Sequence, residues 1–74
     1  AYGRAIDLNP RLNPCLYADG SFEPHNAATY LDRGRTDPGI LHRGDPAVRA
    51  FTDHGWRWGG DWTTPVDYQH FERP

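Results

Sequence analysis

The stretch that most constrains the fold runs from Gly55 to Glu72 and places tryptophans on both sides of a glycine pair, Gly59–Gly60. Glycine is costly inside a helix, so a helix through this pair is disfavoured. Aromatic residues alternating around two glycines favour a strand that bends sharply, or two strand pieces that meet at a bulge. Pro65 marks a second turn, and beyond it an acid, Asp67, precedes His70 by three residues.

The length and composition predict one small domain, residues 1–74. Three Trp, four Tyr and three Phe need a packed interior, which argues against disorder. Cys15 is the single cysteine, so the chain has no internal disulfide, and we expect a small buried or half-buried side chain there. The net charge of -2 argues against a nucleic-acid-binding module. No apolar run approaches the roughly 20 residues of a membrane span.

The first eight residues alternate as a strand would. One side carries Tyr2, Arg4, Ile6 and Leu8, and the other carries Gly3, Ala5 and Asp7. Two interpretations of Asp7 follow. It caps a turn before Asn9–Pro10, or it is a metal ligand at the strand end, where the small neighbours leave room for a bulky group.

Asp45–Pro46 is the clearest helix start, with an acceptor at the N-cap and proline at the first helical position. We predict a helix over 46–54, with Val48 and Phe51 buried and Gly55 as its stop. Loss of the Asp45 cap is expected to cost on the order of 1 kcal/mol.

The segment before this helix is less regular. A short helix is expected to open at Glu23–Pro24 and to end by Gly34. Residues 33–44 are predicted to form an irregular surface loop, with His25 and His42 as exposed polar side chains.

Asp67 and His70 are the chemical core of the sequence. Positions three apart face opposite sides of a regular strand, so the two share a site only if the backbone turns between them. We therefore place Asp67 in a turn and His70 at the start of a strand. A carboxylate and an imidazole at this spacing can serve one metal site, one as base and one as ligand.

Four segments, in order, resemble the zinc D-alanyl-D-alanine carboxypeptidases, and more closely the branch containing the L-alanyl-D-glutamate endopeptidases of bacterial cell walls and phage endolysins. The segments are 2–10 (YGRAIDLNP), 45–51 (DPAVRAF), 55–62 (GWRWGGDW) and 67–72 (DYQHFE). The resemblance covers nearly the whole chain.

The resemblance implies a zinc cofactor with Asp7 and His70 as two of its three protein ligands, and Asp67 as the catalytic base. The family's first histidine would stand immediately before Ala1, so the chain is expected to be the C-terminal part of a catalytic domain and weak or inactive alone. The implied substrate is the peptidoglycan stem peptide. Whether the bond is D-Ala-D-Ala or L-Ala-D-Glu, and whether the protein is secreted, wall-associated or a phage lysin, stays open.

The remaining site candidates are aromatic or acidic. Trp56, Trp58 and Trp62 either pack in the core or wall a substrate groove, with Trp62 the best placed to line it. Glu72 supports the strand or orients His70.

The predicted fold is α+β, a small antiparallel sheet that carries the zinc site with one or two short helices packed beside it. Two alternatives to a zinc peptidase remain. One is a non-catalytic cell-wall-binding module, and the other is a structural domain whose acids and histidines only satisfy local hydrogen bonds.

Overall fold

Two small antiparallel sheets carry the fold. The structure, a computed structural model, describes residues 3–73. Its strands are β1 (Arg4–Asp7), β2 (Cys15–Leu16), β3 (Phe22–Glu23), β4 (Arg57–Trp58), β5 (Val66–Asp67) and β6 (His70–Arg73). One sheet has the order β1–β6–β4 and the other β3–β2–β5. The α+β class is confirmed, with two sheets in place of the single predicted one. Tyr2, which was expected on the same side of the first strand as Arg4, lies outside the described residues.

The helix α1 spans Pro46–Thr52 and ends two residues earlier than predicted. The prediction that Gly55 ends the helix is confirmed, since this glycine adopts a left-handed φ of 87°. The Gly55 amide donates to the Thr52 carbonyl at 3.3 Å, and the Trp56 amide donates to the Phe51 carbonyl at 3.1 Å. These two bonds form a Schellman motif, in which the glycine lets the chain reverse and satisfies the last carbonyls. Because the carbonyls of Phe51 and Thr52 accept the bonds of this motif, the α-helical hydrogen-bond pattern ends at Thr52.

The predicted side-chain cap at Asp45 is wrong. Asp45 occupies the N-cap position, but its carboxylate makes no capping bond. Its Oδ2 accepts a hydrogen bond from the His42 amide at 2.7 Å and lies 3.1 Å from His42 Nδ1. His42 is therefore half-buried instead of exposed, and its Nε2 lies 2.9 Å from the Arg35 carbonyl oxygen. The acid closes the turn before the helix, so any loss of stability at Asp45→Ala would come from that turn.

The segment between β3 and α1 contains a single regular element. A 3₁₀ helix spans His25–Leu31 with a kink at Asn26, and Asp32 follows it in extended conformation, so it ends before Gly34. The loop predicted over 33–44 is irregular as expected, but it does not lie wholly at the surface, because Ile40 and Leu41 are buried. His25 is exposed as expected. Within residues 3–73, no helix is both long and apolar enough to cross a membrane.

A small aromatic core lies between the first sheet and α1. Its buried residues include Leu41, Val48, Trp58 and Phe71. Phe51 packs against them with its ring centroid 4.6 Å from that of Phe71, but it is only partly buried, where burial was predicted. Phe71 is fully buried, so the alternation of β6 turns its neighbours in sequence toward the outer face of the sheet.

The guanidinium of Arg33 joins segments that no sheet or helix connects. Its Nη1 donates to the Leu12 carbonyl at 2.7 Å and to the Tyr30 carbonyl at 3.0 Å. Its Nη2 donates to Asn13 Oδ1 at 2.7 Å and to the Leu41 carbonyl at 2.9 Å. The planar fork of an arginine can serve several acceptors at once.

Asn13 completes this junction and is fully buried. Its amide nitrogen donates to the Gly39 carbonyl at 2.9 Å and to the Leu8 and Asn9 carbonyls at 3.2 and 3.3 Å. Its Oδ1 also accepts from the Leu41 amide at 2.8 Å. Because a buried amide must be paired, these bonds fix the turn after β1 against the 33–44 loop.

We predict that Arg33→Lys destabilises the fold by at least ~2 kcal/mol. A single ammonium cannot reach the four acceptors, and each unpaired buried acceptor costs about 1–3 kcal/mol. The free energy of unfolding from urea titration measures the loss. Arg49→Lys is the matched control, because Arg49 is exposed on α1 and its pair with Asp53 is 3.5 Å long. We expect that control to stay within about 0.5 kcal/mol of wild type. Equal losses in both variants would contradict the role of Arg33.

Candidate metal and catalytic site

Asp7 and His70 face each other across the β1–β6 pair. The register sets Asp7 opposite His70 at one end of the ladder, and directly opposed side chains project from the same face of a sheet. Asp7 Oδ1 lies 3.1 Å from His70 Nδ1. This separation is within the about 4 Å that two ligands of one zinc ion span when each bond is roughly 2.0–2.2 Å. The turn that follows β1 is closed by Asn13 backbone and side-chain bonds instead of by Asp7.

Glu72 holds the other side of the same imidazole. Its Oε1 lies 3.0 Å from His70 Nε2, and the two residues share a face because they are two apart on β6. Burial disfavours a charged His70, but the bonds to Asp7 and Glu72 and the charge of Asp67 outweigh it and raise the pKa of His70. Because ionised carboxylates only accept, both contacts are hydrogen bonds when Nδ1 and Nε2 each carry a proton, and a neutral ring donates to only one of them.

Asp67 lies in a strand, not in the turn where the sequence analysis placed it. It is the last residue of β5 and pairs with Cys15 of β2, and a two-residue turn, Tyr68–Gln69, then leads to His70 at the start of β6 as predicted. The Tyr68 amide donates to the carbonyl of Pro14, which directly precedes β2 of the second sheet. The amide of Leu8, which directly follows β1 of the first sheet, donates to the Gln69 carbonyl. The turn therefore moves the chain from one sheet to the other.

The carboxylate of Asp67 sits in an environment that disfavours its charge. Its Oδ1 is buried and has no hydrogen-bond partner within residues 3–73. Burial raises the pKa of Asp67 and the nearby Asp7 charge adds to the rise, while the charge of His70 partly offsets both. An unpaired buried carboxylate oxygen is costly, so this atom is suited to a proton or a cation.

Backbone contacts fix the position of Asp67. Gly59 begins the 3₁₀ turn Gly59–Asp61 that follows β4, so the glycine pair ends the strand instead of bending it. A Cβ atom on Gly59 would overlap the Asp67 carbonyl oxygen. Two further contacts hold Tyr68, the residue after Asp67. Trp58 Nε1 donates to the Tyr68 carbonyl at 2.8 Å, and the Arg33 guanidinium carbon lies 4.2 Å from the Tyr68 ring centroid.

The three tryptophans line one cleft, and two of them also belong to the core or pack against it. Trp58 is buried and Trp56 is partly buried against the core. The ring of Trp62 is half-buried, and its centroid lies 5.4 Å from that of His70. All three line an open cleft of about 360 Å³, so Trp62 connects this cleft to the histidine.

The residues present fit a zinc ion as a partial ligand set. Within residues 3–73, no group of three or more His, Cys, Asp or Glu side chains is arranged to hold a metal. Asp7 and His70 offer the oxygen and nitrogen donors that zinc accepts, and Asp67 is near enough for their charges to act on it.

Sequence reasoning missed the residues that hold this site in place. Asn13 was not singled out, Arg33 appeared only within the loop predicted over 33–44, and Gly59 appeared only as a helix breaker and a position where a strand bends. The Asn–Pro step at Asn13 was the one local signal, because it marks non-helical backbone, but it does not reveal a buried amide.

The chain matches the D-alanyl-D-alanine carboxypeptidase family over residues 1–73. It therefore belongs to this family of peptidases, and the resemblance seen in the four motifs is confirmed. No curated protein and no solved structure showed significant similarity to the chain.

We predict that Gly59→Ala displaces Asp67 and lowers stability by about 1–3 kcal/mol, the usual cost of an added group in a packed site. Backbone amide shifts of Asp67 and His70, measured by NMR, report the displacement. Gly44→Ala is the control for the close approach, because no atom lies within 4 Å of a Cβ added at Gly44, although Gly44, unlike Gly59, has a positive φ, of 84°. That variant should lose stability through backbone strain alone and leave the shifts of the site unchanged. Site shifts that are unaffected by Gly59→Ala would show that the close approach does not position Asp67.

Proposed function

We propose that the chain forms the C-terminal part of a zinc peptidase domain that hydrolyses amide bonds in peptidoglycan stem peptides. The observation that carries the proposal is the 3.1 Å approach of Asp7 Oδ1 and His70 Nδ1. Membership of the D-alanyl-D-alanine carboxypeptidase family supports the same reaction class.

Asp7 and His70 are the proposed zinc ligands, and the third is the histidine expected immediately before Ala1. Catalytic zinc typically takes three protein ligands and keeps one position open. Glu72 would orient the imidazole through its 3.0 Å contact with Nε2, as outer-shell carboxylates commonly do. When bound, zinc supplies a Lewis acid for the scissile carbonyl and lowers the pKa of a water molecule toward roughly 7.

Asp67 is the proposed general base. Its carboxylate accepts a proton from the attacking water and then passes that proton to the leaving amine. The raised pKa of Asp67, caused first by burial, favours this role because a more basic carboxylate accepts a proton more readily. The unpaired Oδ1 leaves an acceptor available for the water.

The substrate is proposed to pass Trp62, whose ring packs near His70. An indole there offers an apolar wall for the small side chains of a stem peptide. The bond hydrolysed is either D-Ala-D-Ala or L-Ala-D-Glu, and product analysis by mass spectrometry distinguishes free D-alanine from an internal cut.

The rival proposal is a wall-binding module that has lost its chemistry. Two ligands within residues 3–73 hold a metal less firmly than three, which is the observation in its favour. Such a module would bind stem peptide without turnover in a protein that carries the upstream histidine.

We predict different losses for Asp67→Asn and His70→Ala in a protein that carries the upstream histidine. Asp67→Asn keeps the side-chain shape but removes the proton acceptor, so bound zinc should persist while kcat falls by about 10²-fold or more. His70→Ala removes a ligand, so zinc content itself should fall. Metal analysis and hydrolysis of a stem peptide ending in D-Ala-D-Ala measure both quantities.

The matched control is Asp53→Asn, an exposed acid beyond α1, which should retain zinc and turnover. Loss of zinc in Asp67→Asn to the same extent as in His70→Ala would make Asp67 a ligand. Full activity in Asp67→Asn would exclude it as the base, and zinc binding without any hydrolysis in the wild-type protein would favour the wall-binding module.

A further inference from the structure

An open cleft of about 510 Å³ adjoins the candidate site. Its lining residues are Pro10, Phe22, Glu23, Pro24, His25 and Gln69. Gln69 directly precedes His70, and its carbonyl accepts from the amide of Leu8, the residue after Asp7. The cleft therefore lies next to the Asp7–His70 pair. Its volume is within the range of ligand sites in proteins.

Glu23 points to the same side of the second sheet as Asp67. Cys15 is paired with Glu23 on one side and with Asp67 on the other, so the three residues form one row across β3, β2 and β5. Directly opposed side chains share a face. With strands about 4.8 Å apart, two steps along this row place Glu23 roughly 10 Å from Asp67.

Glu23 is exposed, and its carboxylate has no cationic partner among residues 3–73. Within residues 3–73, every salt bridge is formed by an acidic residue other than Glu23. The cleft around it holds no arginine, although the chain has eight basic residues, all of them arginine. The Tyr17 side chain hydrogen-bonds to this carboxylate but does not neutralise its charge. An unneutralised carboxylate in such a cleft is electrostatically complementary to a ligand cation.

We propose that this cleft binds the side-chain amine of a basic residue in the substrate peptide, such as the diamino acid of a stem peptide. Pro10, Phe22 and Pro24 would contact the methylene groups of that side chain, and Glu23 would accept hydrogen bonds from its ammonium group. An extended peptide advances about 3.3 Å per residue, so a distance of roughly 10 Å places the basic residue within about three residues of the scissile bond. The inference rests on the proposed function, because it assigns the substrate group that orients the peptide.

The test compares two stem peptides that differ only in the third residue, lysine in one and Nε-acetyl-lysine in the other. Binding is measured by calorimetry on the metal-free intact protein, and kcat/KM is measured on the zinc-loaded protein. We expect the wild type to prefer lysine about fivefold in both measurements, as an exposed ion pair allows. Glu23→Gln should remove the preference, and Glu23→Asp should retain part of it. The control is Asp19→Asn, which changes an exposed acid in the same hairpin but outside the cleft, and it should keep the full preference.

Equal binding and equal kcat/KM for the two peptides in the wild type would overturn the inference and leave the proposed peptidase function intact. A preference that persists in Glu23→Gln would overturn the assignment to this cleft. Binding that prefers lysine and depends on Glu23, without any hydrolysis, would support the cleft and refute the peptidase function instead.

Discussion

The fold depends on one half-buried cation, the guanidinium of Arg33. The strands are two to four residues long and the longest helices have seven, so their own hydrogen bonds cannot hold the chain in one arrangement. Hydrogen bonds of Arg33 and Asn13 do what longer strands would otherwise do, because they join the turn after β1, the 3₁₀ helix and the 33–44 loop. The same guanidinium packs over Tyr68, in the turn between the proposed base and the proposed ligand.

The packing of strand β6 in the core determines the direction of its site residues. Phe71 is fully buried in the aromatic core, so His70 and Glu72 must face outward. A slip of one residue would expose Phe71 and turn His70 inward, and the burial of an aromatic ring strongly opposes that slip. The result gathers Asp7 and Glu72 around one imidazole, with Asp67 near enough for its charge to contribute. The charge of Asp7 disfavours that of Asp67, and a bound cation would relieve that repulsion.

The sequence by itself determined the features whose causes are local. It predicted the start of α1 at Pro46, its stop at Gly55, the strand ending in Asp7 and the strand beginning at His70, because each depends on residues next to one another in the chain. Its four motifs also identified the family, which the match over residues 1–73 confirms. They named Asp7, Asp67 and His70 as site residues, and the roles of these three residues stay predictions.

Only the tertiary structure decided the interactions between distant segments. The carboxylate of Asp45 looked like a helix cap, but it bonds to His42 because the preceding turn folds back toward it. Gly59 looked like a strand bend, whereas it permits the close approach of the Asp67 backbone. Arg33 had no local signal at all, since its acceptors come from residues 8 to 21 positions away as well as from Tyr30. Propensity and spacing report only what a residue does with its near neighbours. The partners of a buried polar group are fixed only when the whole chain has packed.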